Sequence, residues 1–224
     1  MNTSAVIAST IRDIDGFVDD FVDYHLAIGF KKIFLFLDDP AEIVPPHIAD
    51  NAKVMVIEND ACLHRNWQDT PGYQRYMPFI NQEVMARQCL NCEYAMQLAA
   101  EHGYGWLLHI DLDELFVVRG QSLSEHFAHL SERSIGTVVY RNFEGVPEAL
   151  DSKSVFRDIS LFRVNQKKMN QLRFSEAQQR AIEASGMMST GTPFLLYANG
   201  KSVVRLEADL VCSGVHRFKK PDPI

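Results

Sequence analysis

Five consecutive apolar residues, Ile33-Phe-Leu-Phe-Leu37, follow Lys32. A strand with no polar alternation has no face to give to water, so it must lie in a sheet covered on both sides. An amphipathic pattern precedes it, from about Asp15 to Ile28. There Phe17, Phe21, His25 and Ile28 share one stripe, flanked by Val18 and Val22, while Asp19, Asp20 and Asp23 lie off it. The early acids suit a helix N-terminus, and Gly29 is a natural C-cap. Strand and helix patterns alternate along the rest of the chain. The expectation is an α/β fold whose mixed, mostly parallel sheet is flanked by helices.

The alternation sets the expected elements. Ser4 to Thr10 reads as the first strand and Lys53 to Glu58 as the third. Asn59 to Phe79, polar and aromatic, reads as a long loop of the kind that is often functional. Asn81 to His102 is the longest expected helix, with Val84, Met85, Cys89, Cys92, Met96 and Ala99 inward. Gly103 and Gly105 end it, and the apolar stretch from Trp106 follows as a strand. Ser122-Leu-Ser-Glu125 has the form of a capping box. Further strands are expected over Ile135–Arg141 and Asp158–Val164, and a helix over Ser175–Ala184. Pro193–Ala198 and Lys201–Leu206 suggest a hairpin about Asn199-Gly200. The last informative stretch is Val211–Phe218. No repeat or low-complexity tract interrupts the pattern, which reads as a single domain over 1–224, or a segment of a longer protein.

The chain has 224 residues and a formal net charge of −7, from 29 acidic and 22 basic residues. That balance argues against a nucleic-acid partner, which needs a basic face to meet phosphates. No apolar run approaches the ~20 residues of a membrane span, and Met1–Thr10 lacks a basic leader region. A cytoplasmic location with no transmembrane segment is the expectation. Cys89 and Cys92 form a C-x-x-C, but no second pair completes a zinc set. They fall inside a helical pattern rather than at its start, so packing on one helix face is expected. His25, on an apolar stripe, is expected to be a hydrogen-bonded core histidine.

The chemistry is concentrated in Trp106-Leu-Leu-His-Ile-Asp111-Leu-Asp113-Glu114. Residues i and i+2 of a strand point the same way, so both aspartates would project together from a strand end. Two carboxylates so close repel unless a cation lies between them. Hard oxygen donors favour Mg²⁺ or Mn²⁺, commonly shared with substrate phosphates. The plainer reading is a pair of solvated loop acids.

Several stretches together resemble GT-A-fold glycosyltransferases, Rossmann-like nucleotide-diphospho-sugar transferases, close to the family 2-like and family 92-like (DUF23-type) enzymes. They are Phe21-Val-Asp-Tyr-His-Leu-Ala-Ile-Gly-Phe30, Gly105–Glu114 with its Asp-x-Asp, Gly200-Lys-Ser202 with Val204-Arg205, and Gly214-Val-His216, in the family's order. The resemblance implies metal-dependent transfer of a hexosyl or deoxyhexosyl group from a nucleotide-sugar, UDP-sugar favoured, to a carbohydrate or other hydroxyl acceptor. It implies that Thr10, Arg12 and Asp38 line the nucleoside pocket, and that Asp111 lies near ribose or metal. Asp113 and His216 would ligate Mn²⁺ or Mg²⁺, and Lys201 would meet the diphosphate. An inverting transfer needs a carboxylate base. Glu144, Glu207 and Asp209 are candidates, with Asp209 preferred for its nearness in sequence to His216. The family's Trp-Arg-x-Phe-Gly stretch stands here as Tyr140-Arg-Asn-Phe-Glu144-Gly145, and the loop after Asp38 also departs from the family pattern. Two other readings share some of these features. One is a haloacid-dehalogenase-like phosphatase, with Asp111 as nucleophile. The other is a nucleotide-sugar-binding domain without activity.

Overall fold

The computed structural model describes residues 2–12, 17–146, 154–162, 175, 177, 180, 184 and 199–221. The chain forms two compact units, Met1–Tyr140 with Lys201–Ile224, and Arg141–Gly200.

The first unit holds a six-stranded sheet. In chain order its elements begin with β1 (Ala5–Ile11), α1 (Val18–Ile28), β2 (Lys32–Leu37), α2 (Pro46–Ala49) and β3 (Val54–Ile57). Next come α3 (Ala61–Trp67), α4 (Tyr73–Tyr76), α5 (Val84–Glu101), β4 (Trp106–His109), α6 (Leu123–Glu132) and β5 (Thr137–Tyr140). In the second unit, β6 (Gly145–Val146) pairs antiparallel with β7 (Leu161–Phe162), and α7 (Val155–Asp158) lies between them in sequence. The first unit resumes with β8 (Lys201–Arg205), β9 (Val211–Gly214) and β10 (Arg217–Lys219).

The sheet order is β3-β2-β1-β4-β8-β5. β1 pairs parallel with β2 and β4, and β2 with β3. β8 runs antiparallel to both β4 and β5. The fold is therefore the expected α/β type, with a mixed, mostly parallel sheet flanked by helices, consistent with a Rossmann-like GT-A arrangement.

β2 is buried along its length after Lys32, as its unbroken apolar run requires. On one face, Val6, Ala8, Phe34, Phe36, Leu107 and Val204 pack against Cys89, Leu90, Cys92, Ala95 and Ala99 of α5. Strand alternation turns Trp106 to the other face. There its ring stacks on Phe127 of α6 at 5.1 Å. Burying each such side chain contributes roughly 1.5–3 kcal/mol. α1 ends at Gly29, whose φ of 118° places it in the left-handed region. α6 opens on a complete capping box between Ser122 and Glu125.

Three expectations are corrected, and a fourth is met only in part of the described residues. Asn59–Phe79 is not a long loop: it carries α3, α4 and a 3-10 turn over Met77–Phe79. The Asp60 side chain caps α3 by accepting the Leu63 N–H at 2.8 Å, and Leu63 and Trp67 anchor the helix in the core. Val84 and Met85 are exposed rather than inward, because α5 starts beyond the sheet edge its later turns cover. Asp158–Val164 is helix up to Asp158 and strand only at Leu161–Phe162. Of the helix expected over 175–184, Ala177, Arg180 and Ala184 are helical and Ser175 is not; the rest lies outside the described residues. The strand expected over 193–198 also lies outside them.

His25 is the core histidine expected. Its Nδ1–H donates to the Phe21 carbonyl at 2.7 Å, and its Nε2 accepts the Phe116 N–H at 3.1 Å. Cys89, Cys92 and Cys212 are buried free thiols. Among the described residues no helix is long and apolar enough to cross a membrane.

Candidate active site

In open α/β sheets, ligands gather beyond the carboxyl ends of parallel strands. Here Asp38 follows β2 and the acidic turn follows β4. Lys201 reaches the same edge from the opposite direction. It opens the antiparallel β8 and stands opposite Tyr140, the last residue of β5.

β4 ends at His109, so Asp111 and Asp113 do not project from a strand as expected. They sit in a turn in which the Glu114 N–H donates to the Asp111 carbonyl at 3.2 Å. The turn keeps the acids together by a different geometry from strand alternation. Lys201 Nζ is 2.5 Å from Asp111 Oδ2 and 3.8 Å from Glu114 Oε2. Its side chain is only 7% exposed, so these two carboxylates rather than bulk water face its ammonium group. Gln88 of α5 leans toward Asp111 Oδ1 at 3.4 Å.

The turn holds more negative charge than Lys201 offsets. Burial pushes the Glu114 carboxyl up to about 7, against the pull of Lys201 and with the push of Asp111 and Asp113. Partial burial and then Asp111 also raise Asp113. His109 is fully enclosed and held neutral by burial, with a pKa lowered to about 4, and the charges acting on it belong to Lys201, Asp111 and His216. It is tied to the Val215 backbone, while its Nε2 has no hydrogen-bond partner among the described residues. His216 itself turns between β9 and β10, and its carbonyl accepts the Ser202 hydroxyl of β8.

This donor chemistry fits a hard divalent cation. Three acidic side chains gather here against one lysine, and the buried His109 feels the charge of both Asp111 and Lys201. Among the described residues no group of three or more acidic, histidine or cysteine side chains is arranged to hold a metal ion by itself. Mg²⁺ and its like need only one or two carboxylates when substrate phosphates and water complete the shell.

At the β1–β2 end, Asp38 is 4% exposed at its side chain and is gripped by Arg87 of α5. Nε donates to Oδ1 at 2.6 Å and Nη2 to Oδ2 at 2.8 Å, while Nη1 donates to the Ile80 carbonyl at 2.6 Å. Thr10 Oγ1 accepts from Asn91 Nδ2 at 3.0 Å, and Asn91 Oδ1 accepts from Trp67 Nε1 at 3.0 Å. Arg12 is exposed just past β1. Arg87, Gln88, Asn91, His109 and Glu114 were missed in the sequence. Only Glu114, next to Asp113, carried a local signal.

Asp209 is not brought to this site. β8 ends with Arg205 opposite Trp106, the first residue of β4, and the Leu206 N–H donates to Gly105. The neighbours of Asp209, Ala208 and Leu210, pack beside Gly136 just before β5. Asp209 and Glu207 therefore lie at the amino edge of the parallel strands, away from the acidic turn. Sequence nearness to His216 misled because β9 and β10 carry the chain back to the other edge.

Two curated proteins are similar to this chain. Both are from Arabidopsis thaliana and both are named glycosyltransferase-like. One is 27% identical over 211 residues, covering 88% of this chain and 45% of the relative. The other is 26% identical over 214 residues, covering 88% and 40%. The chain thus spans less than half the length of the curated relatives it matches. No family model matches it.

Proposed function

We propose that this chain is the donor-binding and catalytic part of a glycosyltransferase, moving a hexosyl-type sugar from a nucleotide-diphosphate donor to a hydroxyl of a carbohydrate acceptor. A UDP-sugar is the favoured donor. The observation that carries the reading is the acidic turn Asp111–Glu114 at the carboxyl edge of β4, joined there by Lys201 from β8. The similarity to two glycosyltransferase-like proteins across most of the chain supports it.

Glycosyl transfer builds positive charge on the sugar carbon and negative charge on the departing diphosphate. Asp111, Asp113 and His216 would hold Mn²⁺ or Mg²⁺, which when bound neutralises the leaving group. Lys201 is a fixed positive charge in a water-poor setting, where it stabilises growing anionic charge far better than in solvent. Its two carboxylate partners keep it aimed at the edge. Thr10, Arg12 and Asp38 border the nucleoside end, where Arg87 holds the Asp38 carboxylate in one orientation and leaves its outer lone pairs for ribose or base.

Calorimetric titration with UDP and GDP, each with and without Mn²⁺, tests the proposal. Manganese-dependent binding of one nucleotide is expected. Folded protein that binds neither nucleotide would refute it.

A further inference from the structure

A chain of hydrogen bonds leads from α6 to the edge strand β5. His129 Nδ1 is 3.1 Å from Gln121 Oε1, Gln121 Nε2 is 3.1 Å from His126 Nδ1, and His126 Nε2 is 2.6 Å from the Tyr140 hydroxyl. The direction of each bond follows from chemistry. An amide nitrogen only donates, so His126 Nδ1 accepts from Gln121. A neutral imidazole then carries its proton on Nε2, which donates to the Tyr140 oxygen. Burial, followed by the charge of His129, lowers the His126 pKa and favours this neutral form. The Tyr140 oxygen thus accepts, and its own proton is left pointing onward.

The ring of Tyr140 is fixed as well. Phe116, two residues beyond Glu114, meets it edge-on with centroids 4.7 Å apart. Tyr140 and Lys201 are directly opposite in the β5–β8 ladder, so their side chains leave the same face of the sheet. The strand order gives this position a meaning. Along the carboxyl edge, β2 and β1 bring Asp38 and Thr10, β4 and β8 bring Asp111 and Lys201, and β5 brings Tyr140 last. In a nucleotide-sugar the order of parts is nucleoside, diphosphate, sugar. With the nucleoside at β1–β2 and the diphosphate at Lys201, the sugar falls at β5.

The geometry points to Tyr140 as a specificity-determining residue whose hydroxyl, oriented by the His129–Gln121–His126 chain, donates a hydrogen bond to a hydroxyl of the transferred sugar. The inference rests on the donor-binding reading above. It makes Tyr140 a contact for the sugar and not for the nucleotide. His126 and Gln121 act through Tyr140 and are positioning residues.

The test compares wild type with Tyr140→Phe, which keeps the ring and removes only the hydroxyl. Affinities are measured with Mn²⁺ for UDP, UDP-glucose and UDP-galactose, and for GDP and GDP-mannose. The expected result is a loss of roughly three- to tenfold for the preferred sugar conjugate, the size of one net hydrogen bond, with the free nucleotide unchanged. Equal loss for nucleotide and conjugate, or no loss for any conjugate, overturns the proposal. Failure of wild type to bind any nucleotide overturns instead the donor-binding reading. The imidazole ¹⁵N shifts of His126 are an independent readout: the Nε2–H tautomer is expected, and the Nδ1–H tautomer would reverse the bond chain and overturn the assignment.

Discussion

Arg87 holds Asp38 by two parallel bonds, Nε to Oδ1 at 2.6 Å and Nη2 to Oδ2 at 2.8 Å, across 49 residues of sequence. The pair joins α5 to the carboxyl end of β2. Its fork geometry suits guanidinium and not ammonium. Arg87→Ala leaves a buried carboxylate unpaired, and the expected loss is about 3 kcal/mol of unfolding free energy. Arg87→Lys should recover only part of it. Urea denaturation of the three proteins measures this, and equal midpoints would show that the pair holds nothing in place.

His25 makes the fold acid-sensitive. Burial lowers its pKa to about 4, and the Phe21 carbonyl only partly opposes the shift. The unfolded imidazole takes up its proton near pH 6.5, so between pH 6.5 and 4 the unfolded state binds more protons than the folded one. Stability therefore falls as pH falls through that window, by up to roughly 3 kcal/mol from this residue. NMR titration of His25 should give a midpoint near 4. A midpoint near the ordinary histidine value would contradict the buried neutral tautomer.

Glu93 ties three elements together. Its carboxylate accepts the Gly72 N–H at 2.6 Å and the Cys212 N–H at 3.1 Å, so α5 holds the start of α4 and β9. Glu93→Ala strands two buried donors, and the expected cost is about 2–4 kcal/mol. Amide exchange at Gly72 and Cys212 should quicken together. Exchange that quickens at neither amide would show that other groups hold these segments.

Lys201→Met removes the ammonium that separates Asp111 from Glu114. Nucleotide affinity should fall at least tenfold, because the diphosphate then meets carboxylates with one fewer cation. Lys201→Arg should rescue only partly, since the pocket around a 7%-exposed lysine has little room for a planar guanidinium. Undiminished UDP binding by Lys201→Met would remove Lys201 from the diphosphate site.

What could be read from the sequence was local. The apolar run of β2, the Gly29 end of α1 and the Ser122–Glu125 capping box are written within a few residues each, and each formed as expected. α1 begins at Val18 with Phe17 as its N-cap, and the expected start at Asp15 lies outside the described residues. α3 was missed because its polar surface hid two anchors, Leu63 and Trp67, although the Asp60 cap was a readable signal. The Asp111–Asp113 pair was found for a reason that did not hold, since a turn and not a strand presents it. Partners set by tertiary contact, such as Arg87 for Asp38 and Lys201 for Asp111, leave no trace in spacing. The misplacement of Asp209 has the same origin: the direction of β8 is decided by its neighbours in the sheet.

The central claim is that the acidic turn binds a nucleotide-diphosphate donor through a divalent cation. The most direct measurement is calorimetric titration of UDP and GDP into wild type and Asp113→Ala, with and without Mn²⁺, alongside thermal unfolding of both proteins. The account predicts manganese-dependent binding of one nucleotide to wild type, and loss of that dependence in Asp113→Ala with its unfolding temperature kept. Unchanged manganese-dependent binding in Asp113→Ala, or binding to wild type that ignores manganese, would contradict it.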